Sequence, residues 1–169
     1  MRFEARTEVN APASVLWQVV ADVEHWPEWT PSINEVTWLT GPATAAVAGP
    51  VPGAAGPAPV DAQLLRPGGQ ARIRQPRLPE RVWEVTQVEP GLSFTWQAKS
   101  SGLTLTGTHE VRPLLGDSAE LVLGLELDGP LARPAGFLTR GRIRQNVQQE
   151  AEGLKRCAEV AASTPERGV

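Results

Sequence analysis

Proton transfer near neutral pH rests in this chain on two histidines, His25 and His109, and sulfur chemistry on a single cysteine, Cys157. Histidine titrates unperturbed in that range and is the usual proton shuttle. From Leu103 to Val111, the residues Leu103, Leu105, Gly107, His109 and Val111 alternate with Thr104, Thr106, Thr108 and Glu110. A strand there places His109 on an inward, apolar face. Three roles fit such a residue: a core histidine with satisfied hydrogen bonds, a pocket residue that orients a ligand, or an acid/base. His25, between Glu24 and Trp26, falls in a short helical segment whose position allows exposure. Asp22 and Glu24 stand at a helix end, as solvated or capping carboxylates. Cys157 carries no accompanying motif and reads as a small helix filler. No HxxH, HExxH or paired Cys/His spacing is present, so neither a structural nor a catalytic metal is expected. Phosphate loops of the GxGxxG and GxxxxGK types and the GxSxG elbow are also missing, and no cofactor is expected.

These residues must be held by regular elements, and the hydrophobic pattern supplies them. Phe3, Ala5, Thr7 and Val9 alternate with Arg2, Glu4, Arg6 and Glu8 as a half-buried strand. Pro12 then pre-sets the first turn of a helix carrying Val15, Leu16, Val19 and Val20 at helical spacing. That helix is expected to break near Asp22, because Pro27 disfavours a helical Trp26, with a second short helical turn from Glu28 to Ile33. A strand through Trp38 or Leu39 follows. Strand-like segments recur at Gln70–Gln75, Arg81–Val88, Leu92–Ala98, Leu103–Val111 and Ala119–Asp128, separated by Pro- and Gly-bearing turns. Short links imply antiparallel pairing in a sheet of about seven strands. Ile143, Val147, Ala151, Leu154, Ala158 and Ala161 form one apolar stripe, predicting a helix from about Leu138 to Ala162, roughly 35 Å long. Pro134 and Gly136 are expected to mark a bent segment before it, with Leu131 and Phe137 near a pocket mouth.

Between Pro42 and Gly68 the chain is rich in Ala, Pro and Gly, a composition that favours neither sheet nor helix beyond a short edge strand at Val60–Arg66. A long loop is expected there, as a surface loop or a pocket lid.

The pattern resembles a known family. A-P-A-S-V-L-W followed by D-V-E-H-W-P-E-W is similar to the opening of the polyketide cyclase/dehydrase family, within the START and birch-pollen-allergen-like superfamily (SRPBCC). Further matching runs are R-Q-P-R-L-P-E-R-V-W-E-V-T at 74–86, E-P-G-L-S-F-T-W at 89–96, T-H-E-V at 108–111, L-E-L-D-G-P-L at 125–131 and G-L-K-R at 153–156. The resemblance covers most of the chain outside the 42–68 stretch, which it implies is a Pro/Gly/Ala-rich insertion. It implies an α+β helix-grip fold over residues 1–169: a curved antiparallel sheet around a long C-terminal helix, with two short helices between strands 1 and 2.

A sheet wrapped round one helix leaves space lined mainly by apolar side chains, the usual form of a small-molecule site. Leu121, Leu123, Leu125 and Leu127 share the inward face of the last strand, and Phe94, Trp96, Ala98, Trp83 and Val85 form similar sets. Candidate wall residues are therefore Trp83, Phe94, Trp96, Leu123, Leu125 and Phe137. Thr7, Gln75, His109, Asn146 and Glu150 are the candidate polar groups, although Thr7 also reads as an ordinary strand residue and Asn146 and Glu150 also fit a solvent-facing side. Trp26, Trp29 and Trp38 cluster where the short helices meet the second strand and are read equally as cavity entrance and as core. Trp17, Trp83 and Trp96 are read as core first.

A net charge of −3 over 169 residues and dispersed arginines argue against a nucleic-acid partner. The one basic cluster, Arg140, Arg142 and Arg144, has Glu150 and Glu152 one to two turns away and reads as a solvated helix face. M-R-F-E-A-R lacks the apolar run of a signal peptide, no stretch is apolar enough to span a membrane, and one cysteine allows no intrachain disulfide. A cytoplasmic protein without membrane insertion is expected. Three functions remain open: a carrier or sensor of a hydrophobic small molecule such as a lipid or aromatic polyketide, a cyclase/dehydrase using His109 as acid/base, and a co-chaperone-like interaction module that uses the 42–68 stretch.

Overall fold

A computed structural model describes residues 1–39 and 65–164. The strands are β1 (Arg2–Val9), β2 (Glu35–Leu39), β3 (Gln70–Arg74), β4 (Arg81–Glu89), β5 (Ser93–Ser100), β6 (Leu103–Pro113) and β7 (Ala119–Asp128). They form one antiparallel sheet in the order β1-β7-β6-β5-β4-β3-β2. Between β1 and β2 lie α1 (Ala13–Ala21), a 3₁₀ turn (Val23–His25) and α2 (Trp26–Trp29); α3 (Ala132–Ser163) follows β7. This is the expected helix-grip arrangement. Most of the 42–68 stretch, including Val60 to Leu64 of the expected edge strand, lies outside the described residues. Leu65 and Arg66 are in a bend rather than a strand, and Gly68 donates to the Val85 carbonyl at 2.8 Å.

The core is the alternation made physical. Val9, Leu16, Val20, Val23, Val85, Phe94, Val111, Leu121, Leu127 and Leu154 are all buried between the sheet and its helices. Burying each such side chain contributes about 1.5–3 kcal/mol, offset by chain entropy. Trp17, Trp29, Trp38 and Val147 are half-buried against this cluster.

Two helix boundaries differ from expectation. α3 begins at Ala132, not near Leu138, and takes Pro134 and Gly136 into its first turns, so that its 32 residues span roughly 48 Å. Proline is tolerated there because its missing N–H would have no intrahelical partner. Gly136 is buried against the Met1 side chain, which a Cβ would strike. The second short helix is Trp26–Trp29 rather than Glu28–Ile33, and Trp26 is helical (φ −55°, ψ −36°) despite Pro27. Pro27 occupies the first turn, where it starts a helix instead of breaking one. The fully buried Trp26 indole supplies what propensity alone does not.

The convex face carries ion pairs. Arg112 donates to Glu110 from Nε at 2.7 Å and from Nη2 at 2.9 Å, and its Nη1 reaches Glu120 at 3.3 Å. Hydrogen bonding from Arg112 holds the Glu110 carboxyl below its ordinary range. A carboxyl depressed in the folded state stabilises above its unfolded pKa, and that contribution is lost as pH falls through the depressed value. Acidification below about pH 4, near the ordinary Glu value, is therefore expected to lower the melting temperature of the wild type more than that of Glu110→Gln. Parallel acid limbs in the two melting profiles would show that the pair contributes nothing.

Candidate functional site

The concave face closes on a cavity of about 80 Å³ between the sheet and α3. Trp83 from β4, Trp96 from β5, His109 from β6 and Leu123 and Leu125 from β7 make the sheet wall, with Ile73 of β3. Gln75 and Leu78 of the β3–β4 turn, Trp26 of α2 and Ile33 form one side, and Ile143, Asn146, Val147 and Glu150 of α3 form the cover. Asn146 and Glu150 thus take the cavity side rather than the solvent side. The helical repeat explains this, since Glu150 stands seven residues after Ile143 and four before the buried Leu154.

Four candidate pocket residues, two expected in the wall and two read equally as entrance or core, lie elsewhere. Phe94 is buried, but it stacks on the His109 ring at 4.3 Å with 5° between planes. Trp29 packs on α3 at Gly153, where a Cβ would come within 2.6 Å of its Cε3. Trp38 pairs with Ala71 across β2 and β3, and its Nε1 is buried without a hydrogen-bond partner among the described residues. Phe137 is 68% exposed, and Leu131, 50% exposed, packs over Gly102 and not at a cavity mouth. Both depart from expectation for one reason: α3 starts a turn and a half earlier and turns Phe137 outward. Thr7 lies on β1, its hydroxyl 3.5 Å from the Glu8 carbonyl, and does not line the cavity.

His109 is the chemical centre of the wall. It is 4% exposed, and its Nε2 lies 2.9 Å from Glu150 Oε1. Against an ionised Glu150, which only accepts hydrogen bonds, Nε2 is the donor, and in the neutral imidazole Nδ1 is then the acceptor. Nδ1 is buried without a partner among the described residues. Aromatic rings surround the imidazole: Trp26 at 5.0 Å, Trp96 at 5.5 Å and nearly perpendicular, and the stacked Phe94. The contact with Glu150 fixes one imidazole nitrogen and leaves the other without a partner among the described residues.

Alternation left Gly107 without a role, and the structure supplies one. Gly107 lies opposite Trp96 in the ladder, and a Cβ there would strike Trp96 Nε1 and come within 2.7 Å of Cδ1. The missing side chain seats the indole that makes the cavity wall. The inward position of Gly107 facing a tryptophan was the available signal.

His25 is exposed, with Nδ1 2.7 Å from Asp22 Oδ1 at the end of α1. Burial, with Asp22 and Glu28 nearby, pushes the Cys157 thiol above its ordinary value, which disfavours a thiolate nucleophile. Among the described residues, no group of three or more His, Cys, Asp or Glu is placed to hold a metal ion, and no helix is long and apolar enough to cross a membrane.

Solved structures share this architecture. The chain matches the di-domain aromatase/cyclase BexL of the BE-7585A biosynthetic pathway at a TM-score of 0.66 and 17% identity, over 97% of this chain and 48% of that one. It therefore spans about half the length of that protein. It also matches truncated norcoclaurine synthase from Thalictrum flavum (TM-score 0.65, 12% identity, 97% of this chain and 94% of that one). A START superfamily protein from Mycobacterium smegmatis matches at a TM-score of 0.57 and 18% identity, over 95% of this chain and 96% of that one. At such identities the likeness is one of fold. No curated protein matches by sequence. The family profile described as "Polyketide cyclase / dehydrase and lipid transport" matches residues 1–159, nearly the whole chain and every element of the sheet and cavity. The protein belongs to the polyketide cyclase/dehydrase and lipid transport family.

Proposed function

We propose that the cavity binds a compact, flat, mostly apolar small molecule carrying one hydroxyl or similar donor, which His109 Nδ1 accepts. The observation that carries this reading is the buried Nδ1, without a partner among the described residues, of a histidine whose other nitrogen is fixed by Glu150. A buried acceptor without a partner costs about 1–3 kcal/mol, and a bound donor recovers that cost. Apolar and aromatic walls supply affinity, and Gln75 and Asn146 add polar groups at the side and cover. At about 80 Å³ the cavity is smaller than the 300–1,000 Å³ usual for drug-sized ligands, so a lipid chain or multi-ring polyketide enters only if the walls move.

The experiment is a titration with a panel of small phenols, read by tryptophan emission. Trp26, Trp83 and Trp96 all line the cavity, so one-to-one binding with quenching is expected. Gly107→Val pushes the Trp96 indole into the cavity and should weaken binding at least about tenfold while costing about 1–3 kcal/mol of stability. Unchanged emission at saturating phenol, or equal binding by Gly107→Val, would remove this reading.

A second reading is favoured by the His109–Glu150 pair itself. A ligand hydroxyl or acidic C–H placed at Nδ1 loses its proton to the imidazole, and Glu150 stabilises the imidazolium; the same proton is then available to a leaving hydroxyl. That is the acid/base step of a cyclisation with loss of water, the chemistry of a cyclase/dehydrase.

A further inference from the structure

The first half of α3 is chemically unlike the rest of the chain. From Gly129 to Gln149 the sequence holds Arg133, Arg140, Arg142 and Arg144 and no Asp or Glu, in a chain whose net charge is −3. All four arginines are exposed. In the same stretch Phe137 is 68% and Leu138 82% exposed. Single exposed apolar residues are ordinary, but two consecutive ones framed by cations are not.

Helical spacing sorts these residues into two stripes. Arg133, Phe137, Arg140 and Arg144 follow at steps of four, three and four and so share one stripe, with the Arg140 guanidinium 5.3 Å from the centre of the Phe137 ring. Leu138 and Arg142, four apart, form the other. Arg142 Nη1 donates to the Arg77 carbonyl at 3.4 Å, which brings the β3–β4 turn alongside. Leu78 of that turn and Ile143 of α3 line the cavity. The apolar pair, the cations and one rim of the cavity therefore lie at the same end of the molecule.

We infer that this face docks on an anionic lipid bilayer, with Phe137 and Leu138 entering the boundary between headgroups and acyl chains and the arginines among the headgroups. Charge complementarity selects the occupant. An acidic protein groove or a nucleic acid pairs with the arginines, but Phe137 and Leu138 diverge by about 100° around the helix axis and share no single groove wall. A bilayer surface takes both, being apolar beneath and charged above. The solvated-face reading of Arg140, Arg142 and Arg144 gives way to a reversible contact face, in which no segment spans the membrane. The docking face stands independently of what the cavity holds.

Sedimentation with phosphatidylcholine vesicles, with and without phosphatidylglycerol, tests it. The wild-type chain is expected to sediment with the mixed vesicles only, and less so as salt rises. Phe137→Gln/Leu138→Gln keeps good helix formers at exposed positions and should abolish binding without changing the melting temperature. Arg140→Gln/Arg144→Gln should weaken it about 30-fold. Arg133→Glu is a folding control, because an acid in the first turn favours the helix; it should lose binding while melting no lower. No sedimentation with phosphatidylglycerol vesicles, or equal sedimentation by the Gln variants, overturns the proposal. So does a dimer in analytical ultracentrifugation that Phe137→Gln/Leu138→Gln dissolves while vesicle binding is absent, since the face is then a contact between two copies.

Discussion

Trp26→Ala is expected to lower the unfolding free energy by about 3–5 kcal/mol, the largest loss from any single truncation of an aromatic in this chain. A domain of this kind has about 5–15 kcal/mol in total, so the variant approaches its melting limit. Trp26 is fully buried, and its ring lies 6.0 Å from Trp29, 5.6 Å from Trp96 and 5.0 Å from His109. α2 has only four residues and no stability of its own; the indole anchors it. Urea unfolding of the wild type, Trp26→Phe and Trp26→Ala checks this, with the Phe variant in between. A loss below about 1 kcal/mol in Trp26→Ala would mean that the surrounding rings collapse to fill the space.

The second large effect concerns the His109–Glu150 pair, for which single and double replacements should diverge. His109→Leu leaves the Glu150 carboxylate, whose side chain is 14% exposed, against aromatic rings without its donor. The expected cost is up to about 3–5 kcal/mol, whereas His109→Leu/Glu150→Leu is expected to be neutral or more stable. Urea unfolding of the four corners of this cycle yields the coupling directly. Additive losses would show that the pair is not coupled. The folded double variant then separates the two functional readings. Binding of apolar probes survives in it under both, whereas the preference for a hydroxyl-bearing phenol disappears. If the bound molecule is turned over, the rate falls by about 10²–10⁴.

Much of the fold was legible because its signals are local. The Leu121–Leu127 alternation placed β7 to the residue, and strand-like residues between the Arg77–Pro79 and Pro90-Gly91 turn signals and beyond placed β4 and β5 to within two residues. His109 was visible as an inward polar residue for the same reason. Glu150 and Asn146 were ambiguous only because the apolar stripe of α3 was read as a narrow line, whereas the buried arc is wide enough to include polar residues beside it. What stayed illegible depends on contacts across elements. Nothing local says that Trp26 turns helical before a proline, since its burial among Phe94, Trp96 and His109 decides it. Nor does composition show that α3 begins at Ala132: the stop signals of Pro134 and Gly136 act only once a helix is under way. Phe137, an aromatic in a chain with three phenylalanines, was read as a wall residue, because apolar type alone does not say which side of a helix is free.

The strand order carries one more consequence, for how the chain is made. β3 through β7 join each neighbour by a short turn and can zip as they leave the ribosome, but β1 pairs only with β7, from Arg2 opposite Glu126 to Val9 opposite Ala119. The first strand of this sheet therefore waits for the last. Closing so long a loop is slow compared with forming hairpins. Until β7 emerges, Phe3 and Val9 have no sheet to cover them and the meander has an open edge at β6, so the nascent domain is most prone to association just before β7 appears.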